Sequence, residues 1–210
     1  MGEAMYRLYW AENTGAFAPE VVMALAGTPY ERVLVDWDAK EHWGAAFRRL
    51  NPMGQVPVMI LPDGQVMTES AAMVLHIADS TPEAGLAPPP GSLERAAFDR
   101  WLFFMAVNLY GADLRYYYPR RFTAEEAGIA GVKQAAAEEL DRLFALLDDP
   151  LTPGPFFGGE RLSALDPYLL MLTDWYPPAQ SRPAIARLRT ALLAEPGVKA
   201  IWDRYQKPGT

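Results

Sequence analysis

A proline-rich segment near the middle of the chain constrains the fold more than any other feature of the sequence. Residues 80–92 read STPEAGLAPPPGS, with four prolines, two glycines and no hydrophobic periodicity. Such a composition is typical of a linker, because proline and glycine interrupt helices and strands alike. The sequence therefore predicts two domains, at residues 1–80 and 93–210, with a linker at residues 81–92.

The first of these domains has alternating strand and helix patterns. Apolar, β-branched runs predict four strands, at residues 5–10, 30–37, 56–61 and 65–68. Helical spacing of apolar residues predicts helices at residues 15–26 and 69–79, and a polar, helix-compatible composition with Asp38 as N-cap predicts one at residues 38–50. The order β-α-β-α-β-β-α is typical of a small thioredoxin-like α/β domain whose sheet carries helices on both faces.

The second domain shows helical periodicity throughout. Apolar residues recur at three- and four-residue spacing over residues 93–118, 123–147, 163–176, 182–194 and 197–205. The fold class is therefore α/β followed by all-α, with an N-terminal thioredoxin-like domain and a C-terminal helical bundle.

Composition excludes several kinds of chemistry. The chain has no cysteine, so disulfides, iron–sulfur clusters and cysteine nucleophiles are ruled out, and its only histidines, His42 and His76, predict no metal site. A net charge of −7 argues against nucleic acid and anionic membranes as partners. The chain shows no signal-peptide pattern and no apolar stretch long enough to span a bilayer, which predicts a cytoplasmic protein.

Two motifs resemble those of one known family. The run NPMGQVP at residues 51–57, followed by Glu69-Ser70 at the start of a helix, resembles the glutathione S-transferase family. The run SALD at residues 163–166 resembles a helix-capping box of the same family. The resemblance implies a transferase homodimer that uses glutathione as co-substrate against a small hydrophobic electrophile, as in detoxification.

The resemblance also implies which residues bind glutathione. A cis bond between Val56 and Pro57 would present the Val56 amide and carbonyl to the extended tripeptide. The γ-glutamyl carboxylate would bind at the start of the following helix, and the glycine end near a histidine. The implied binding residues are His42, Gln55, Val56, Pro57, Glu69 and Ser70. The alternatives are a plain hairpin with ordinary helix capping, and a solvated helix face at His42.

The catalytic group must favour the thiolate of glutathione, because the thiolate is the nucleophile. The family uses a Tyr, Ser or Cys donor in or just after the first strand. At the matching place this chain has neither Ser nor Cys, and Thr14 is the best match to the family's serine. Tyr9 and Asn13 are alternatives, as is a site with no side-chain donor.

A second-substrate pocket is expected between the domains. Aromatic side chains suit a hydrophobic electrophile and an arginine favours an anionic one, which makes Tyr110, Arg115 and Tyr117 the candidates. Packing between helices is the competing explanation for these residues. Two other functions stay open: glutathione-dependent disulfide reduction, and a non-catalytic binding or regulatory module with this fold.

Overall fold

The computed structural model describes residues 5–151 and 154–206. Its sheet has the strands β1 (Tyr6–Trp10), β2 (Tyr30–Leu34), β3 (Val58–Ile60) and β4 (Val66–Met67), in the order β2-β1-β3-β4. β1 pairs parallel to β2, with Tyr6 opposite Tyr30, and antiparallel to β3, with Tyr9 opposite Val58. β3 and β4 form an antiparallel hairpin. This is the predicted thioredoxin-like arrangement.

Helices cover both faces of the sheet. They are α1 (Phe17–Ala26), α2 (Ala45–Leu50) and α3 (Ser70–Ser80). Alternate β1 side chains point to opposite faces. On one face, the Tyr6 hydroxyl lies 3.1 Å from His76 Nε2 of α3. On the other, Tyr9 packs edge-to-face on Phe47 of α2. The prediction of helices on both faces is therefore confirmed.

The remaining helices are α4 (Leu93–Phe104), α5 (Tyr110–Tyr117), α6 (Ile129–Ala145), α7 (Leu165–Trp175), α8 (Pro183–Ala194) and α9 (Pro196–Gln206). A π-helical segment, Met105–Leu109, joins α4 to α5 without a break. Contacts divide the chain into two compact units. Among the described residues, the thioredoxin-like unit comprises 5–90 and 193–206, and the helical unit lies within Gly91–Leu192.

Two predicted boundaries need correction. The sequence places residues 93–210 in one helical domain, but α9 packs on α1 and so belongs to the thioredoxin-like unit. The helix predicted at residues 38–50 is a short 3₁₀ turn, Glu41–Trp43, followed by α2. Gly44 separates the two because its backbone is extended, at φ −66° and ψ 150°.

Candidate functional site

The strand register brings three chain segments to one edge of the sheet. Met59 lies opposite Met67, and Tyr9 lies opposite Val58. Because both pairings are antiparallel, the residues before β3, after β4 and after β1 meet at the same end. Those segments are residues 55–57, residues 68–70 and the loop at residues 11–16, and each contains residues that the sequence singled out.

The turn before β3 is held in place by Asn51. Its buried side chain donates from Nδ2 to the Gln55 carbonyl oxygen at 2.8 Å and accepts from the Met53 N–H at 3.1 Å. Gly54 has φ 63°, and a Cβ there would lie 2.8 Å from the Trp43 ring. Only glycine fits this close approach. Asn51 belongs to the NPMGQVP motif, but the sequence did not predict that its side chain holds the turn before β3.

The backbone at Val56 is available to a peptide ligand. The Val56–Pro57 bond is cis, as the resemblance implied, and both residues are buried whereas Gln55 is exposed. Across residues 5–151 and 154–206, the Val56 N–H and C=O make no backbone hydrogen bond. Paired main-chain donors and acceptors of this kind are what an extended peptide requires.

The residues after β4 form the N-terminus of α3 in an unusual conformation. Glu69 has φ 67° and ψ 106°, and its side chain makes no capping hydrogen bond. A non-glycine residue there costs on the order of 1–3 kcal/mol, which is typical of functional sites. Ordinary capping by Glu69 is therefore not what the structure shows. Ser70 is buried at the first turn of α3, where the helix dipole favours an anion.

The loop at residues 11–16 contains the candidate donors. Thr14 is half-buried, and its hydroxyl donates to the Ala11 carbonyl oxygen at 2.7 Å. Its one hydrogen is thus engaged within the loop. Asn13 is exposed at φ 52°, which asparagine tolerates. Tyr9 instead packs with a core cluster that includes Phe47, Val56 and Val58.

His42 is buried between two indoles. It stacks on Trp37 with ring centroids 3.8 Å apart and lies 5.3 Å from Trp43. Its Nδ1 is buried without a hydrogen-bond partner. Burial, with a smaller contribution from the Lys40 charge, lowers the pKa of His42, so its neutral form is favoured. A solvated helix face, the alternative expectation, is wrong for this residue.

The three residues assigned to a second-substrate pocket lie in the helical unit, and two of them are neighbours. Tyr110 packs edge-to-face on Trp175 at 5.1 Å, and the Tyr117 hydroxyl donates to the Trp175 carbonyl oxygen. Arg115 lies on another side of α5, where its charge helps to lower the pKa of Glu139 after the larger effect of Arg142. The structure therefore groups Tyr110 with Tyr117 but not with Arg115.

Sequence reasoning also missed the buried residues Glu20, Tyr205 and Asp113. The Tyr205 hydroxyl donates a hydrogen bond to Glu20 within the thioredoxin-like unit. Asp113 lies in α5, and within the described part of the chain neither of its carboxyl oxygens has a hydrogen-bond partner. Burial raises the pKa of Asp113 to about 8. The available signal was an isolated acid in an apolar helical pattern, at Glu20 in FAPEVVMALA and at Asp113 in YGADLRYY.

Two kinds of feature are absent from the described part of the chain. In residues 5–151 and 154–206, no group of three or more acidic or histidine side chains is arranged to hold a metal ion. In the same part of the chain, no helix combines the length and apolarity needed to cross a membrane.

Comparison with known proteins finds glutathione S-transferases and proteins similar to them. Residues 17–80 match the family described as glutathione S-transferase, N-terminal domain. The uncharacterized GST-like protein YncG of Escherichia coli K12 is 33% identical over 176 residues, which cover 82% of this chain and 83% of that protein.

Solved structures match over nearly the whole chain. The glutathione transferase of Methylococcus capsulatus strain Bath is 31% identical with a TM-score of 0.83, and the match covers 96% of this chain and 98% of that one. A sphingomonad glutathione S-transferase solved with glutathione is 28% identical with a TM-score of 0.82, covering 96% and 100%. Both the motifs at the sheet edge and these matches show that the chain belongs to the glutathione S-transferase family.

Proposed function

We propose that this chain is a glutathione transferase that binds glutathione at the sheet edge formed by residues 55–57, 68–70 and 11–16. The observation that carries the proposal is the convergence of the free Val56 main chain with the α3 N-terminus at Glu69 and Ser70. These groups suit a peptide backbone and a terminal carboxylate respectively. Membership of a family of glutathione transferases supports the same activity.

Each binding residue has a distinct proposed role. The Val56 N–H and C=O pair with the cysteinyl part of glutathione, and the exposed Gln55 side chain assists from the same turn. The Ser70 hydroxyl and the first amides of α3 hold the γ-glutamyl carboxylate, while Glu69 pairs with the ammonium group. His42 lies near the glycine end, and Nε2 is the ring nitrogen that would hydrogen-bond there, because Nδ1 is enclosed by protein.

The reaction we propose is conjugation. Glutathione loses its thiol proton to solvent, and the thiolate attacks an electrophilic carbon of a small hydrophobic substrate. A sulfur–carbon bond forms. In a substitution the leaving group departs with the electron pair of its bond to carbon; in an addition the electron pair of the double bond takes up a proton from solvent. The protein lowers the pKa of the bound thiol with donors at the loop of residues 11–16 and with the α1 dipole.

The first test measures glutathione binding by calorimetry. Ser70→Ala is expected to raise the dissociation constant roughly tenfold or more, because a hydrogen bond to a charged group is worth about 1.5–3 kcal/mol. Ser80→Ala, an exposed serine at the other end of α3, is the matched control and should bind like the parent. Equal affinities in the two variants would contradict the role of Ser70.

Thr14 is proposed as the side-chain donor to the thiolate. To donate to sulfur, its hydroxyl must release the Ala11 carbonyl, a bond worth about 0.5–1.5 kcal/mol. Thr14→Val should raise the pKa of the bound thiol by about one unit, whereas Thr14→Ser should retain the parent value. The ultraviolet absorbance of the thiolate, followed against pH, measures it. An unchanged pKa in the valine variant would return the role to Tyr9, Asn13 or backbone amides.

A second candidate function is glutathione binding without turnover. The specific observation in its favour is that the Thr14 hydroxyl is already engaged by Ala11. Retention on immobilised glutathione together with no conjugation of chlorodinitrobenzene and no disulfide reduction would support this candidate over the enzyme. Conjugation by the parent protein would exclude it.

We also propose a homodimer. Phe103 and Val107 are 53% and 69% exposed on α4 and the π-helical segment, which is unusual for large apolar side chains so close in sequence. A second copy of the chain would bury them. Light scattering on the protein used for calorimetry gives the mass in solution directly.

A further inference from the structure

Tyr205 of α9 contacts the residues at both ends of the loop at residues 11–16, which contains the proposed thiolate donor Thr14. The ring of Tyr205 lies 5.1 Å from that of Trp10, the last residue of β1, and 5.4 Å from that of Phe17, the first residue of α1. The loop between them is residues 11–16, which includes Thr14. Tyr205 is 2% exposed, so this packing is fully enclosed.

The hydroxyl of the same tyrosine is fixed by a buried carboxylate. It donates to Glu20 Oε2 at 2.8 Å, one turn after the start of α1. Oε1 of Glu20 receives the Tyr30 hydroxyl at 3.2 Å and Arg204 Nη2 at 2.5 Å, and Arg32 Nε lies 3.0 Å away. Glu20 is completely buried. Donors from β2 and α9 thus hold the first turn of α1.

The two tyrosine hydroxyls of this cluster keep their protons at neutral pH. The burial of Tyr205 and the negative charge of Glu20 raise its pKa well above the ordinary value, so the hydroxyl keeps the proton that it donates. Burial and Glu20 likewise raise the pKa of Tyr30 to about 12. The guanidinium of Arg32 also lies over the ring of Trp10, 3.9 Å from its centroid, and so contacts the end of β1.

We propose that Tyr205 is a positioning residue for the thiol site: its ring fixes both ends of the loop at residues 11–16, and its hydroxyl orients the first turn of α1 through Glu20. Tyr205 acts through the loop and touches no substrate. The proposal rests on the proposed function, because its catalytic consequence is a change in the thiolate of bound glutathione. The binding residues at Val56 and Ser70 lie on other segments, so affinity should depend little on Tyr205.

The test compares Tyr205→Leu and Tyr205→Phe with Leu188→Ala. Leu188 is a fully buried residue of α8 in the helical unit and serves as a control for lost stability. Tyr205→Leu should raise the pKa of the bound glutathione thiol by about one unit, which is about tenfold in thiolate fraction below that pKa. The dissociation constant for glutathione should change less than threefold. Tyr205→Phe, which keeps the ring, should recover most of the thiol pKa.

Amide hydrogen exchange supplies a readout that needs no ligand. Exchange in residues 11–17 should accelerate in Tyr205→Leu and not in Leu188→Ala. If the leucine variant keeps both the parent thiol pKa and the parent exchange rates, the positioning role is overturned. If the parent protein binds no glutathione, the proposed function fails, and the exchange measurement alone then decides whether Tyr205 holds the loop.

Discussion

Replacing Asp166 with alanine is expected to lower the free energy of unfolding by about 3 kcal/mol or more, the largest loss for any single substitution considered. Asp166 is completely buried at the start of α7 and accepts three hydrogen bonds. They come from the Phe157 N–H at 2.5 Å, the Ser163 N–H at 2.6 Å and the Ser163 hydroxyl at 3.0 Å. Alanine leaves two backbone donors without a partner, each costing about 1–3 kcal/mol when buried.

The capping motif predicted from the SALD run therefore does more than cap a helix. Ser163 Oγ accepts from the Leu165 N–H at 3.3 Å, which is the local cap, while Asp166 also binds the loop at Phe157. Burial raises the pKa of Asp166 to about 7 although these donors act in the opposite direction.

Urea denaturation of Asp166→Ala measures the loss. Glu94→Ala is the matched control, since Glu94 is an acid in the first turn of α4 but is exposed, and it should change stability by less than about 0.5 kcal/mol. Glutathione affinity should not change, because the binding residues lie in the other unit. A loss below about 1 kcal/mol would contradict the role assigned to Asp166.

Asp113→Asn is expected to stabilise the protein at alkaline pH. Burial raises the pKa of Asp113 from 3.8 to about 8 in the folded chain. Between these two values the folded state retains a proton that the unfolded state releases, so the free energy of unfolding falls as the pH rises. Asparagine cannot ionise, so this decline disappears. Each pKa unit is worth about 1.4 kcal/mol, and we expect a gain of about 2–5 kcal/mol at pH 8.

The difference in the free energy of unfolding between Asp113→Asn and the parent should increase with pH. Near pH 4 parent and Asp113→Asn should have similar stability, and the difference should grow up to about pH 8. The exposed Glu94→Gln variant serves as control and should follow the parent curve throughout. A constant difference between Asp113→Asn and the parent at all pH values would show that Asp113 does not titrate in this range.

The architecture of the sheet was predictable because its signals are local. The strand patterns and the motif at residues 51–57 each lie within a few residues, and the order of elements then fixes the thioredoxin-like topology. The helix at residues 38–50 was wrong in extent because helical composition alone does not reveal that Gly44 adopts an extended conformation. The π-helical segment was missed because helical spacing does not distinguish it from an α-helix.

The candidate site was predictable only in part, for a physical reason. Residues whose role is carried by backbone conformation, such as Val56 and Glu69, belong to a recognisable motif. Long-range partners leave no such trace. Nothing near Glu20 in sequence points to Tyr205, 185 positions away. The bond from the Thr14 hydroxyl to Ala11 is local, but it depends on a loop conformation that residue types alone do not reveal.

The contact between Glu20 and Tyr205 also bears on how the protein is made. The two residues are 185 positions apart, so during translation Trp10 and Phe17 emerge from the ribosome long before the aromatic ring that covers them. Until then the nascent N-terminal sheet carries an uncovered apolar surface of the kind that chaperones bind. This half of the molecule is therefore completed only after residues 91–192 of the helical unit have been synthesised.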